Sequence, residues 1–238
     1  MDNAAYVSLG RQAGLRQEMR LVANNIANMS TGGYRREATV FSEVVAALPV
    51  EGGSVAMTAA RVRRTDFASG AIAATGAPLD LAVDGDGFFQ VETADGPRLT
   101  RDGAFLRRAD GVLATASGEA VLDPGGAPIQ LPPGGGGVVV APDGAISVDG
   151  RPVGRVGVFR PQDAGELTRE TGRLFRFDAP PEAVEVRVLA GHLEGSNVEP
   201  VREIARMIEV QRAYELGQRL VDQEDERTRN AVRVLGRT

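Results

Sequence analysis

The residues able to do chemistry in this 238-residue chain are few, and each is better explained without catalysis. His192 is the only histidine, in Ala190-Gly191-His192-Leu193-Glu194. General-base or nucleophilic chemistry would need a partner for it. No Cys exists, and no Ser or Asp stands at a spacing that fixes one, so His192 is expected at a hinge or on the surface. Asp84-Gly85-Asp86-Gly87 begins like a calcium loop, but Phe88 and Asp95 stand where ligand positions five and twelve need an oxygen donor and a Glu. A tight turn between strands fits better. Gly134 to Gly137 lacks the Lys-Ser or Lys-Thr and the helix of a phosphate loop, which leaves a flexible loop. Asp163, Glu166 and Glu170 read as a solvated loop. Asn28-Met29-Ser30 matches a glycosylation sequon, a short pattern that carries little at a helix end. No cofactor or metal is implied.

Two features rise above that background. Asn24, Asn25 and Asn28 place three amides near one helix end, where Asn is a poor helix former. They suit capping or hydrogen bonds to a neighbouring chain. The second is a seam near the C-terminus. Met207, Val210, Tyr214, Gly217, Val221, Glu224, Thr228, Ala231 and Leu235 step by three and four, the spacing that faces a partner helix. Ala213, Leu216 and Leu220 widen the seam beyond what one neighbour covers.

The elements that must carry these residues follow from periodicity. Ser196-Asn197 offers cap oxygens, Glu199 lies three past Ser196, Pro200 suits a first turn, and Gly236 ends the run. The helix so bounded is roughly 50 Å long at about 1.5 Å per residue. At the other end, Asn3 to Met29 reads as helix, with Leu15, Met19, Val22 and Ile26 on one stripe. Gly10 and Gly14 weaken it by about 1 kcal/mol each relative to Ala. Paired glycines ahead of Tyr34 turn the chain. Arg35 to Leu48 reads as a short helix or extended arm, Pro49 to Ser54 as a break, and Val55 to Phe67 as strand or linker.

From Ala77 to Ala190 the period becomes two. Short apolar runs alternate with Asp-Gly pairs at Asp84, Asp86, Asp95, Asp102, Asp110, Asp143 and Asp149, which favour hairpin turns. The expected fold is a mainly β body, a sandwich or open barrel of short strands, with N- and C-terminal α-helices pairing as a coiled-coil-like domain. The expected divisions are 1–34 (N-terminal helix), 35–76 (linker or arm), 77–190 (β domain) and 191–238 (C-terminal helix).

Composition sets the outer bounds. Hydrophobic content of 42% and charged content of 25% are ordinary. The net charge of −5 argues against nucleic acid as a partner. No run approaches the roughly 20 apolar residues of a membrane span, so no membrane insertion is expected. Met1 to Leu21 carries no secretory signal pattern.

The motifs then point to a family. Ala23-Asn24-Asn25-Ile26-Ala27-Asn28 followed by Ser30-Thr31-Gly32-Gly33-Tyr34-Arg35-Arg36 resembles the N-terminal signature of bacterial flagellar rod and hook proteins. Gly76-Ala77-Pro78-Leu79-Asp80-Leu81-Ala82-Val83-Asp84-Gly85-Asp86-Gly87-Phe88-Phe89 and Leu99-Thr100-Arg101-Asp102-Gly103-Ala104-Phe105 resemble its middle. Leu193-Glu194-Gly195-Ser196-Asn197-Val198 and Met207-Ile208-Glu209-Val210-Gln211-Arg212-Ala213-Tyr214-Glu215 resemble its end.

Met1-Asp2-Asn3-Ala4, the short length and Gly195 are most similar to a proximal rod subunit, while Gln211 to Glu215 looks more like a distal rod subunit. A distal rod or hook-type subunit is the alternative within the family. The resemblance implies a structural, non-enzymatic rod subunit. It would be exported by the flagellar type III apparatus without a cleaved signal peptide, and would sit in the periplasmic rod of the basal body. Its partners would be other rod proteins, copies of itself and the export apparatus. The implied assembly interface is Leu15, Met19, Val22, Asn24, Asn25, Ile26, Asn28 and Tyr34 at one end. At the other it is Ser196, Asn197, Val198, Met207, Val210, Gln211, Tyr214 and Val221. Outside the family, an envelope- or glycan-binding β module on a coiled-coil stalk fits the same elements, although Trp is absent.

Overall fold

The computed structural model describes residues 2–41, 44–47, 54–57, 61–133, 136–163, 165, 167–170 and 172–235. Helix α1 spans Asp2–Ala27 and helix α2 spans Pro200–Leu235. Almost everything regular between them is short strand. The chain divides into two compact units. The first gathers Met1–Ala27, Glu37–Arg64 and Glu199–Thr238; the second gathers Asn28–Arg36 and Thr65–Val198.

In the first unit the two helices touch, although they lie at opposite ends of the sequence. Their hydrogen bonds set the direction. Gln12 meets Tyr214 and Asn25 meets Glu203, so the helices run antiparallel. Leu21, Val22 and Val210 are buried between polar turns. Of the two forms expected for the segment after Arg35, short helix or extended arm, the extended one holds in strands Glu37–Phe41 and Val44–Ala47. Strand Glu37–Phe41 pairs with Arg61–Thr65, and Val44–Ala47 with Ser54–Met57. The β-branched content of Thr39-Val40 and Val44-Val45 favours strand over helix. The break at Pro49 to Ser54 lies outside the described residues except for Ser54.

The second unit is the β body. Its largest sheet has nine described strands around Phe88–Thr93, which pairs with Gly96–Thr100, Ala120–Val121 and Val158–Arg160. Adjacent strand residues point to opposite faces, and here both faces are buried. Phe89 and Val91 join one core with Leu81, Leu113 and Val121. Phe88 joins another with Leu99, Phe159 and Phe175, and the rings of Phe88 and Phe175 meet edge to face. That is why Phe88 and Phe89 stand side by side in the sequence. A three-stranded sheet, Val138–Val140, Ala145–Val148 and Arg151–Arg155, lies alongside two-stranded pairs. Among the described residues the sheets are open and none closes into a barrel.

Several Asp-Gly pairs turn hairpins as expected. Asp149 and Gly150 both have positive φ, 51° and 75°, at the turn into Arg151–Arg155. Asp95-Gly96, Asp110-Gly111 and Asp143-Gly144 also lie between paired strands. Asp84-Gly85-Asp86 does not, because Leu81–Asp84 pairs with Arg187–Ala190 and not with the strand that follows. Ile129 to Leu131 forms no strand, only an isolated bridge from Gln130 to Val112. His192 starts strand His192–Glu194, with Nδ1 2.8 Å from the Ala190 carbonyl oxygen. Of the glycine loop, Gly134 and Gly135 lie outside the described residues, as does Glu166.

Candidate functional site

Two groups of side chains hold the positions singled out by sequence. The first ties α1 to α2. The Asn25 amide nitrogen donates to the Glu37 carbonyl oxygen at 2.8 Å and to the Glu203 carboxylate at 3.1 Å, while Asn25 Oδ1 accepts from the Glu37 N–H at 3.0 Å. Asn25 is buried, as are Glu37 and Glu203. Its amide therefore uses donor and acceptor ends together, as a buried amide must. Two turns earlier, Arg206 forks onto Glu18, with Nε at 2.8 Å. Burial lowers the Arg206 guanidinium's proton affinity, but its bonds to Glu18 and Glu209 outweigh that and raise it. Further on, Gln12 donates to the Tyr214 carbonyl oxygen at 3.2 Å. Gly217 leaves it room, since a Cβ there would stand 2.8 Å from Gln12 Nε2.

The second group closes a knot in the β unit. Glu194 is buried and accepts from Arg35 Nη2 at 2.7 Å, from Arg101 Nη1 at 3.3 Å and from the Gly70 N–H at 2.9 Å. Two guanidinium groups thus share one carboxylate. Arg101 also donates to the Gly85 carbonyl oxygen at 2.7 Å and lies over the Phe88 ring. Burial lowers its pKa despite Glu194. Arg35 Nε and Nη1 and Arg101 Nε make no hydrogen bond. Removing one partner of such a buried pair typically costs about 3–5 kcal/mol, because the charge left behind is uncompensated.

Asn197 bridges three segments of the same unit. Its Oδ1 accepts from the Arg36 N–H at 2.6 Å, and its amide donates to the Asp66 and Ala68 carbonyl oxygens at 2.9 Å each. Gly33 (φ 68°) donates its N–H to the Glu194 carbonyl oxygen at 2.8 Å. A Cβ on it would lie 2.4 Å from the Asp102 nitrogen, so the second glycine of Gly32-Gly33-Tyr34 has a steric reason.

The expected interface residues divide between these groups. Leu15, Met19, Val22, Asn25 and Ile26 lie at least half-buried on α1. Met207, Val210, Tyr214 and Val221 do so on α2. Tyr34, Asn197 and Val198 belong to the knot, where the Asn197 N–H meets the Tyr34 carbonyl oxygen. Asn28 accepts from the Thr31 hydroxyl in the turn that ends α1. Asn24 and Gln211 lie exposed. Ser196 and Asn197 do not cap α2: Ser196 Oγ accepts from the Val198 N–H, and α2 begins at Pro200 with Glu199 ahead of it. The seam's side chains at Glu224, Thr228, Ala231 and Leu235 lie outside what the structure describes. Sequence reasoning missed Gln12, Glu18, Glu194, Arg35, Arg101, Glu203 and Arg206 as determinants. Arg35 and Glu194 sat inside quoted motifs, and their opposite charges were the only available signal.

A mainly β body whose two chain ends return as one antiparallel helix pair, tied by motifs from both termini, is a subunit built around its ends. Residues 6–35 match the flagella basal body rod protein family. Residues 82–148 match the flagellar hook protein FlgE/F/G D1 domain, and residues 189–234 the flagellar basal body rod FlgEFG protein C-terminal region. The chain belongs to this FlgE/F/G family of flagellar rod and hook proteins. Among relatives it is 40% identical to the flagellar basal-body rod protein FlgF of Caulobacter vibrioides, over 100% of this chain and 99% of the relative. To FlgF of Salmonella typhimurium it is 32% identical over 99% of both chains. To the flagellar basal-body rod protein FlgG of Bacillus subtilis it is 26% identical, over 95% of this chain and 96% of that one.

Proposed function

We infer that this chain is a structural subunit of the bacterial flagellar basal-body rod, of the proximal kind, and not an enzyme. The observation that carries this reading is full-length similarity to relatives named FlgF, at higher identity than to those named FlgG. The terminal helices form the axial part, and the segment after α1 is an arm. After export by the type III apparatus the subunit takes its place in the periplasmic rod, against other rod proteins and copies of itself. The helix pair acts as a coiled-coil-like module, with Val22, Asn25, Val210, Tyr214 and Val221 holding the subunit's own helices. Faces left outward bind neighbours. Burial of such faces drives assembly at about 25 cal/mol per Å², and a head-to-tail contact extends a tube instead of closing a dimer. Among the described residues no helix is long and apolar enough to cross a membrane.

The test is deletion of the gene in a motile host, with imaging of basal bodies. Loss of the rod beyond the inner-membrane ring is expected, restored by the full chain and not by one ending at Asn197. Normal basal bodies and swimming after deletion would overturn the reading.

A further inference from the structure

Both helices carry a second seam that the subunit itself leaves exposed. On α1 it runs through Leu9, Ala13, Arg16, Arg20, Ala23 and Ala27, every one exposed and stepping by four, three, four, three and four. Ala13, Arg16, Met19, Arg20 and Ala23 line a groove of about 550 Å³. On α2 the matching seam is Ile204, Ile208, Gln211, Glu215, Gln218 and Asp222, also exposed throughout. Ile204 and Ile208 are 48% and 44% accessible, high for isoleucines in a structure whose other face is paired. Each seam has the three-four spacing that presents one face to another helix.

We propose that the outer seam of α1 in one copy receives the outer seam of α2 from a second copy, antiparallel, with Ala23 against Ile208 and Arg16 against Glu215. This rests on the rod reading, because a polar assembly gives every copy the same direction. The α1 of one copy then meets the α2 of the next in the same antiparallel sense found within a subunit. Charge and size fix the register. In the stated pairing Ala27 faces Ile204 and Ala23 faces Ile208, so small residues receive large ones. Arg16 faces Glu215, Arg20 faces Gln211, and Leu9 faces Asp222 at the fraying end. Sliding by seven residues one way sets Arg16 on Ile208 and Arg20 on Ile204. Sliding the other way sets Ala23 on Glu215. A slide by four also sets Ala27 on Ile208 and Arg20 on Glu215, but it leaves Ile204 past the end of α1; only the stated alignment keeps both isoleucines on alanines with an arginine opposite Glu215. Glu215 already lies 3.8 Å from Arg219 one turn on, an exposed pair weak enough to share.

The absence of Cys from the chain makes the test direct. Two versions carrying Ala23→Cys or Ile208→Cys are co-expressed in cells lacking the wild-type gene, then oxidised. A disulfide-linked dimer that needs both versions is expected. Arg16→Glu or Glu215→Arg alone should cut the cross-linked band by roughly fivefold, the scale of one exposed ion pair turned repulsive, and shrink swimming halos. The double swap Arg16→Glu with Glu215→Arg should restore both. Absence of the dimer in swimming cells, normal halos from each single swap, or a double swap no better than the singles would overturn the pairing while leaving the rod reading intact. Cells that swim with intact rods without the gene would instead overturn the rod reading.

Discussion

Asp102 is buried between strands Gly96–Thr100 and Phe105–Arg107, with its carboxylate 2.5 Å from Arg173 and accepting from the Ala104 N–H. Burial raises its pKa above the ordinary carboxylate range, and Arg173 offsets only part of that. The folded protein therefore keeps this proton at a pH where the unfolded chain has released it. The stability this supplies is complete below the unfolded chain's value and is lost as pH rises through the folded value. Asp102→Asn keeps the oxygen that accepts from Ala104 but no longer titrates. Urea unfolding followed against pH should show the wild-type midpoint falling, relative to the Asn variant, across that acid window, and a constant difference above it. A difference that stays flat throughout would contradict the assignment. Next to it, Gly103 has no substitute, because a Cβ would lie 1.6 Å from the Leu81 carbonyl oxygen. The sequence pointed to a hairpin turn at Asp102-Gly103, but the flanking strands Gly96–Thr100 and Phe105–Arg107 pair with other strands and not with each other. It did not show that the carboxylate is buried, because burial there depends on Arg173, more than 70 residues away in the sequence.

At the scale of elements, the two helices and some of the strands, Phe88–Thr93 and Ala145–Val148 among them, were legible because their periods are local. Met207, Val210, Tyr214 and Val221 announced one face of α2; Val210 is buried there, the other three are half-buried, and the Tyr214 carbonyl oxygen meets Gln12 of α1. What was not legible was the polar content of the pairing. Gln12, Glu18 and Glu203 look like ordinary surface residues until a partner helix stands opposite, and nothing in their own neighbourhood distinguishes them. The arm after Arg35 was read ambiguously for a related reason: strand pairing is non-local, and Glu37–Phe41 owes its form to Arg61–Thr65. Val221 lies half-buried on α2. A carboxylate there loses solvation without gaining a partner, so Val221→Asp should block rod assembly while the β unit stays folded. Retained near-ultraviolet circular dichroism with absent rods is the expected pair of results, and rods built normally from the variant would refute it.

For the molecule as a whole, the division into two units has a thermodynamic consequence. The β unit holds two apolar cores around Phe89 and Phe88. Among its described residues the helical unit buries few large side chains and leaves Val201 82% accessible. Local stability follows buried contact. Heating the isolated chain should give two calorimetric transitions, helix loss first, and Val210→Asp should lower the first by several degrees while leaving the second in place. One cooperative transition shifted as a block by that variant would show the units to be energetically fused. The Glu194 knot bears on force as well as on heat. Segments from residues 33–36, 66–71 and 194–197 are fastened side by side within the β unit by Glu194 and Asn197. Tension arriving along either helix meets them together, loaded as parallel fibres in a splice and not as a zip opened tooth by tooth. A load that reaches the β unit is then spread over several bonds at once.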